Sequence, residues 1–214
     1  MNDWNNNYEN GFSTAIQAEN EASLQRYVAA VMSLLFSSMA TIWILFALEL
    51  GLVIYLSARI EKLSTGVATA LFYAYSALNG VALAPIFLIY TGASIAMTFA
   101  LTAGTFGLMT IGGYITNKDL SKFGSILFMG LLGLILCIVI NLFMKSAMMD
   151  MIISCAGVLI FVGLTAWDTQ TIKRMCAAAD PSMVGKVATM GALNLYLDFI
   201  NLFIYLLRIF GNRD

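Results

Sequence analysis

The most constraining feature of this chain is a carboxylate inside an apolar run long enough to cross a membrane. The run extends from Ala192 to Arg208 and reads ALNLYLDFINLFIYLLR, with Asp198 near its middle. An ionised side chain at the centre of a bilayer costs roughly 2.5–3.5 kcal/mol on insertion scales. Such groups are usually partnered inside the protein and serve a function. Asp198 is therefore the first candidate site residue.

The composition of the whole chain agrees with a membrane location. Hydrophobic residues make up 60% of the sequence and charged residues 11%, whereas soluble domains carry about 25% charged residues. Since about 20 apolar residues cross a bilayer, six runs qualify: 27–57, 67–90, 92–115, 123–143, 148–167 and 190–210. We expect an all-α integral membrane protein, a bundle of six transmembrane helices. Residues 1–26 are predicted to form a polar N-terminal tail and residues 27–214 a single membrane domain.

The distribution of basic residues predicts the orientation. With six spans, the loops at 58–66, 116–122 and 168–189 share one side of the membrane. They contain Arg59, Lys62, Lys118, Lys122, Lys173, Arg174 and Lys186. Because short cytoplasmic loops are enriched in Lys and Arg, this side is predicted to be the cytoplasm, and the C-terminus is predicted to lie on the non-cytoplasmic side.

Several classes of function are excluded by the same composition. The net charge of −1 leaves no basic patch for nucleic acid. The chain has no histidine, and its three cysteines stand singly in or beside apolar runs, so no zinc or haem site is assembled from them. No resident cofactor is therefore expected. The oligomeric state stays open, because small residues that allow close helix approach serve contacts within and between subunits alike.

The last apolar run carries a periodic set of polar residues. Asn194, Asp198, Asn201, Tyr205 and Arg208 are spaced by four, three, four and three residues, which places them on one stripe of a helix. Polar groups aligned in this way do not face lipid. The stripe fits either a packing seam of hydrogen-bonding side chains or an ion or proton site.

Asp168 is the natural partner for Asp198. It ends the fifth apolar run and is predicted to lie close to the cytoplasmic end, while Asp198 is eight residues into the last run, roughly 12 Å deep. If the two carboxylates meet, repulsion and loss of hydration favour a shared proton at low or neutral pH, which leaves as the pH rises. Such a pair is a proton-sensitive latch. Asp168 alone fits a helix-end residue exposed to the cytoplasm equally well.

Two further charges accompany the first apolar run. Arg59 closes it on the predicted cytoplasmic side, where it either neutralises one of the aspartates or anchors the helix by extending to the lipid headgroups. Glu49 lies ten residues earlier, near the middle of the membrane, between two leucines. It needs a partner or a proton, and it either lines a cation pathway or stays protonated in a packed interior.

Several of these segments together resemble a known family. The segments 77–80 (ALNG), 89–91 (IYT), 161–170 (FVGLTAWDTQ), 195–203 (LYLDFINLF) and 207–212 (LRIFGN) are similar to the bacterial members of the Bax inhibitor-1 family, also called the transmembrane Bax inhibitor motif (TMBIM) family. The resemblance runs from about residue 45 to the C-terminus. It implies seven transmembrane helices around a central last helix. This chain departs from the family where residues 24–31 stand in place of a first helix and its loop, so six helices are expected here.

The resemblance also implies a function. Members of the family are described as pH-sensitive calcium leak channels, which implies Ca²⁺ and protons as the species handled and a bacterial inner (plasma) membrane as the location. The proton sensor or gate falls on Asp168 and Asp198, with Arg59 as a latch, and the two aspartates offer a transient Ca²⁺ site. An ion pathway is predicted along Glu49, Asn194, Asn201 and Tyr205. The chain is predicted not to be an enzyme.

Two functions of other classes are retained as alternatives. Some bacterial relatives are described as modulators of a membrane-bound AAA protease that act through an N-terminal tail, and the polar residues 1–26 fit either such a contact or a solvated tail. Paired aspartates in a membrane also resemble intramembrane aspartyl proteases, in which the carboxylates activate water. However, the Gly-x-Gly-Asp context of those enzymes is absent around Asp168 and Asp198.

Overall fold

The computed structural model describes residues 14, 17–27, 30, 39–60 and 62–213, and these are helical with short connections and no β-strand. Residues 17–27 are helical and exposed, whereas the rest of the predicted tail of residues 1–26, apart from residue 14, lies outside the described part. Seven helices follow: α1 (Met39–Arg59), α2 (Thr65–Leu83), α3 (Ile86–Ile89), α4 (Gly92–Ile115), α5 (Ser121–Met144), α6 (Ala147–Ala178) and α7 (Val184–Phe210).

Hydroxyl side chains mark where several of the helices begin. The hydroxyls of Ser64, Thr91 and Ser146 accept hydrogen bonds from backbone N–H groups three residues ahead, at 3.3, 3.2 and 3.3 Å. Each bond satisfies one of the free N–H groups in a first helical turn. Pro85 separates α2 from α3, as expected of a residue that has no N–H to continue a helix. These local signals divide the apolar sequence into separate helices.

Five segments of the described chain are long and apolar enough to cross a membrane. They are Thr65–Ile89, which combines α2 and α3, then Gly92–Ile115, Ser121–Met144, Ala147–Ala178 and Val184–Phe210. These correspond to the second to sixth predicted runs. The first predicted run, residues 27–57, overlaps positions outside the described part of the chain. The structure shows α1 in this region, but α1 is not among the five segments above. The count of six spans therefore stays a prediction.

The distribution of side chains is that of a membrane protein. Large apolar side chains are exposed along the outer faces of the helices, for example Phe143 and Leu159, whereas many buried side chains are polar, among them Thr98, Thr102 and Thr165. In lipid the outer surface is apolar, and helices associate through packing and hydrogen bonds instead of through exclusion of water. The chain is therefore an integral membrane helical bundle.

Helices α6 and α7 form the centre of this bundle. They pack most extensively against each other, while α4 contacts both of them, α5 contacts α6 and α2 contacts α7. One glycine allows α7 to pack closely against α6, and another allows α4 to do so. A Cβ atom at Gly157 of α6 would stand 2.6 Å from the ring of Tyr205, and one at Gly113 of α4 would stand 2.9 Å from the Cα of Ala166 and closer still to its carbonyl oxygen. The predicted last helix is thus central.

The structure corrects the predicted ends of these two helices. Asp168 does not end its helix, because α6 continues to Ala178, roughly 15 Å further along the axis. Helix α7 begins at Val184 and not at residue 190, which places Asp198 roughly 21 Å from its start. The predicted loop of residues 168–189 is therefore only 179–183. The apolar run indicates only the part of a helix that lies in lipid. The helix itself continues beyond that part, because its backbone hydrogen bonds form within the helix.

Candidate functional site

The structure brings Asp168 and Asp198 together between α6 and α7. The two side chains lie within hydrogen-bonding reach of each other. They are buried, with 9% of Asp168 and 4% of Asp198 exposed. One oxygen of Asp198, Oδ2, has no hydrogen-bond partner among the described residues. We call these two residues the aspartate pair.

Three buried threonine hydroxyls of α4 and α6 donate to backbone oxygens of their own helices and not to the aspartate pair. Thr165 and Thr169 are buried on α6, and each donates its hydroxyl hydrogen to a backbone oxygen one turn earlier, at 2.7 Å, to Phe161 and Thr165 respectively. Thr102 on α4 does the same toward Thr98 at 2.7 Å. A hydroxyl has only one hydrogen to donate, so these bonds leave none for the carboxylates. The pair is consequently stabilised by its own shared hydrogen bond.

Arg59 is not paired with the two aspartates in the structure. It ends α1 with an exposed side chain. Within the described part of the chain it forms no ion pair with either aspartate, and the salt bridge found there joins Arg174 to Asp119. The arrangement is that of an anchoring arginine at a helix end. A latch role requires a rearrangement of α1 and stays a prediction.

Glu49 belongs to a second polar cluster, on a different face of α7. The amide nitrogen of Asn79 donates to Oε1 of Glu49 at 3.4 Å, and the hydroxyl of Tyr196 donates to the amide oxygen of Asn79 at 3.1 Å. Tyr196 precedes Asp198 by two residues, which turns it by about 200° around the helix. Glu49 and the aspartate pair therefore flank α7 from different sides. Asn79 and Tyr196 were missed from the sequence, although both lie in the segments that carry the family resemblance.

The remaining members of the polar stripe differ in role. Asn201 is half-buried and donates to the backbone oxygen of Leu197 at 2.8 Å, and Asn194 is half-buried as well. Tyr205 is buried, and its ring stacks on Phe161 with 5.9 Å between the ring centres. Tyr205 therefore packs against α6, while the centre of the stripe holds Asp198, and the predicted ion pathway along Asn194, Asn201 and Tyr205 stays a prediction.

A further residue beside the pair was missed from the sequence. Gln170, two residues after Asp168, is buried and fastens the loop between α4 and α5 to α6. Its amide nitrogen donates to the backbone oxygen of Lys118 at 2.9 Å, and its amide oxygen accepts from the backbone N–H of Leu120 at 3.0 Å and from Arg174 at 2.7 Å. The only sequence signal was its position in the segment FVGLTAWDTQ. We call this set the loop clamp.

Arg174 extends the loop clamp to an exposed carboxylate. It forms a salt bridge with Asp119 at 2.8 Å. The hydroxyl and the backbone N–H of Ser121 also donate to Asp119, at 2.7 and 3.0 Å. The Ser121 hydrogen bonds, followed by that from Arg174, lower the pKa of Asp119 from 3.8 to about 2. Its charge therefore persists to acidic pH.

The arrangement limits what metal chemistry the site supports. Within residues 39–60 and 62–213 no group of three or more histidine, cysteine, aspartate or glutamate side chains is arranged to hold a metal ion. Ca²⁺ usually takes six to eight oxygen ligands. Two adjacent carboxylates provide a brief stopping point for a hard cation and not a storage site. The predicted transient Ca²⁺ site remains a proposal on these terms.

Comparison with known proteins identifies the family. The profile described as "Inhibitor of apoptosis-promoting Bax1" matches residues 22–214. The chain is 53% identical over 188 residues to "Inner membrane protein YbhL" of Escherichia coli (strain K12), covering 86% of this chain and 80% of that protein. It is 45% identical over 185 residues to a protein of Borreliella burgdorferi, with the same coverage. Over 167 residues it is 43% identical to a membrane protein of Streptococcus pyogenes serotype M1, covering 78% of this chain and 72% of that protein. The chain belongs to the Bax inhibitor-1 family of membrane proteins.

Proposed function

We propose that this chain is a pH-sensitive leak channel for Ca²⁺, or for cations more generally, in a bacterial inner membrane. The observation that carries the proposal is the aspartate pair, buried between the two central helices without a basic partner among the described residues. A buried carboxyl pair of this kind holds one proton between its members and releases it as the pH rises. The relative YbhL, which is named an inner membrane protein, supports the location.

The mechanism follows from the charge on the pair. With a shared proton, Asp168 and Asp198 attract each other and hold α6 against α7, which is the closed state. Without it, two negative charges 4 Å apart repel by about 4 kcal/mol at an effective dielectric constant of ~20. This repulsion acts against the contact between α6 and α7, so loss of the proton favours the open state. Flux is therefore expected to rise with pH.

The permeating ion meets oxygen ligands along α7. The two aspartates provide carboxylate oxygens, and the half-buried Asn194 and Asn201 provide amide oxygens next to them, which suits a hard cation such as Ca²⁺. Glu49 lies on a different face of α7 and so contributes to a separate part of the pathway. Arg59 would act as a latch of the closed state if α1 moved so that Arg59 paired with the carboxylate that stays ionised while the pair shares one proton. The basic residues of the predicted cytoplasmic loops support a C-terminus on the non-cytoplasmic side.

The test is Ca²⁺ flux into dye-loaded proteoliposomes across a pH series. The unmodified chain is compared with Asp168→Asn and Asp198→Asn, which preserve shape but cannot lose a proton. Asp180→Asn is the matched control, because Asp180 is exposed in the loop between α6 and α7. We expect flux that increases with pH in the unmodified chain and in the control. In both variants of the pair it should stay at the low-pH level.

The result that contradicts the proposal is equally definite. If folded Asp198→Asn protein shows an unaltered pH dependence, the pair is not the proton sensor. If the unmodified chain shows no flux above that of empty liposomes at any pH, the chain is not a leak channel. Arg59→Gln tests the latch in the same assay, since a latch that holds the closed state should give a higher resting flux when removed.

The two alternatives are separated by simple experiments. A chain lacking residues 2–22 should still leak if it is a channel, whereas a modulator of a membrane-bound AAA protease that acts through its N-terminal tail should lose its partner. Cleavage of a model transmembrane peptide by the purified protein, abolished in Asp168→Asn, would favour an aspartyl protease.

A further inference from the structure

A basic cleft opens at the end of the bundle opposite the loop clamp. It has a volume of about 630 Å³ and lies between the ends of α2, α3 and α7 and the start of α6. Its wall is mainly apolar and includes Met151 and Ile204, and its rim carries Asp150, Arg208 and Arg213. A second cavity of about 430 Å³ shares Asp150 and Arg208 with it and adds Lys145. The cleft therefore combines an apolar wall with a charged rim.

The basic groups of the cleft and of the second cavity form no salt bridge with the described carboxylates. The guanidinium of Arg208 lies 5.8 Å from the ring centre of Tyr205, and that of Arg213 lies 5.7 Å from the ring centre of Tyr90. The salt bridge found among the described residues is at the other end of the bundle. Asp150, the one acidic residue among the described residues of the rim, accepts a hydrogen bond from Asn141 at 3.0 Å. Among the described residues, the cleft and the second cavity together thus carry three positive charges, from Lys145, Arg208 and Arg213, and one negative charge, from Asp150.

Backbone contacts hold this rim in place. Tyr90 and Arg213 form an antiparallel bridge, the N–H of Thr91 donates to the backbone oxygen of Asn212 at 3.1 Å, and the N–H of Asn212 donates to the hydroxyl of Ser94 at 3.0 Å. The segment after α7 is thereby tied to the start of α4. Arg213 is consequently presented over the cleft by a fixed backbone, and its N–H donors remain available to a ligand.

We propose that the basic cleft binds one anionic phospholipid. Its phosphate would lie between Arg208 and Arg213, and an acyl chain would cover the apolar wall at Met151 and Ile204. Basic pockets between transmembrane helices recognise anionic headgroups in this way, and guanidinium groups pair with phosphate through two parallel hydrogen bonds. A zwitterionic lipid would bring its own cation against the rim. Free phosphate would leave the apolar wall uncovered. The charge and the polarity of the cleft together therefore favour the anionic lipid.

The binding is measured by native mass spectrometry of the full chain in detergent micelles. The protein is titrated with phosphatidylglycerol, with phosphatidylcholine and with sodium phosphate. We expect one phosphatidylglycerol per chain, bound more tightly than phosphatidylcholine and not displaced by millimolar phosphate. Each of Arg208→Gln and Arg213→Gln should weaken this binding about five-fold, the change that corresponds to ~1 kcal/mol per basic residue near an anionic lipid.

Two further variants separate the site from general charge attraction. Lys122→Gln removes one exposed positive charge at the opposite end of the bundle and should leave the affinity for phosphatidylglycerol unchanged. Met151→Trp fills the apolar wall without altering charge and should also weaken lipid binding. Arg208→Lys, which retains the charge, should keep most of the affinity and guards against a variant that fails to fold.

Three outcomes would overturn the proposal. Equal affinity for phosphatidylglycerol and phosphatidylcholine would show that the rim does not select an anionic headgroup. An effect of Lys122→Gln as large as that of Arg208→Gln would show diffuse attraction and not a site. Displacement of the lipid by sodium phosphate, together with normal binding in Met151→Trp, would show a site for free anions.

Discussion

The contact between α4 and α6 provides a sharp test of how close helix packing supports the aspartate pair. Gly113 faces α6, and an added Cβ would stand 2.9 Å from both the Cα and the carbonyl carbon of Ala166, and closer still to its carbonyl oxygen. Ordinary contact begins at 3.4 Å, so Gly113→Ala requires the two backbones to move apart by at least 0.5 Å. No side-chain rotation relieves this clash, because the opposing atoms are backbone. Asp168 lies two residues beyond Ala166 and would move with it.

The expected energy follows from two opposing effects. Overpacking of this kind costs about 1–3 kcal/mol, while replacing a helical glycine by alanine gains up to about 1 kcal/mol. We therefore expect Gly113→Ala to lose about 1–2 kcal/mol of unfolding free energy. The matched control is Gly112→Ala, since a Cβ at the neighbouring Gly112 meets nothing within 4 Å. Gly112→Ala therefore gains helix stability from the alanine without any cost from overpacking.

The assay is thermal unfolding in detergent followed by circular dichroism. At about 2–4 °C per kcal/mol for a chain of this size, the melting temperature of Gly113→Ala should fall by about 2–8 °C, and that of Gly112→Ala should stay the same or rise slightly. Because α6 also carries Asp168, the Ca²⁺ flux of Gly113→Ala should change its pH dependence while that of Gly112→Ala does not. Equal melting temperatures of the two variants would refute the packing argument.

Two further predictions concern the loop clamp. Gln170→Ala leaves the backbone N–H of Leu120 without its acceptor and should cost about 1–3 kcal/mol, measured as a lower melting temperature, whereas loss of an exposed amide elsewhere should have no effect. The depressed pKa of Asp119 means that its contribution to stability is complete above pH 3.8 and is lost as the pH falls toward about 2. Ser121→Ala should raise this pKa toward 3.8, which an NMR titration of the Asp119 carboxyl carbon would detect. An unchanged titration would mean that Ser121 does not stabilise the charge.

Much of the architecture was predictable because lipid imposes it. Apolar runs of bilayer length predicted five of the spans that the structure contains, since only helices of that length satisfy their backbone groups in lipid. The helix ends were less predictable. The segment after Asp168 is polar, so hydropathy placed the end of the span there, yet the helix continues for another ten residues. Hydropathy indicates where lipid ends, whereas helix ends depend on capping and on backbone hydrogen bonds.

The sequence predicted the contacts of the site only where a single helix or a buried charge was enough to imply them. Asp168 and Asp198 were expected to meet because two buried carboxylates need partners. The cluster of Glu49, Asn79 and Tyr196 was missed, because it depends on the rotation of three helices about their axes. The periodicity of a single helix does not fix those rotations. Arg59 illustrates the same limit, since its position at a helix end fixes its depth but not the direction of its side chain.

The loop clamp constrains how the aspartate pair is able to separate. Gln170 binds the loop of residues 116–120 through three hydrogen bonds, to the backbone of Thr116, Lys118 and Leu120, and it lies only two residues from Asp168. If α6 moved alone, Gln170 would have to release the backbone groups of that loop, at about 1 kcal/mol for each bond. If the loop travels with α6, those bonds are kept, and only the contact between α6 and α7 has to open. For the proposed channel, the less costly movement is therefore one in which the loop follows α6 away from α7 and the bundle opens at the aspartate pair.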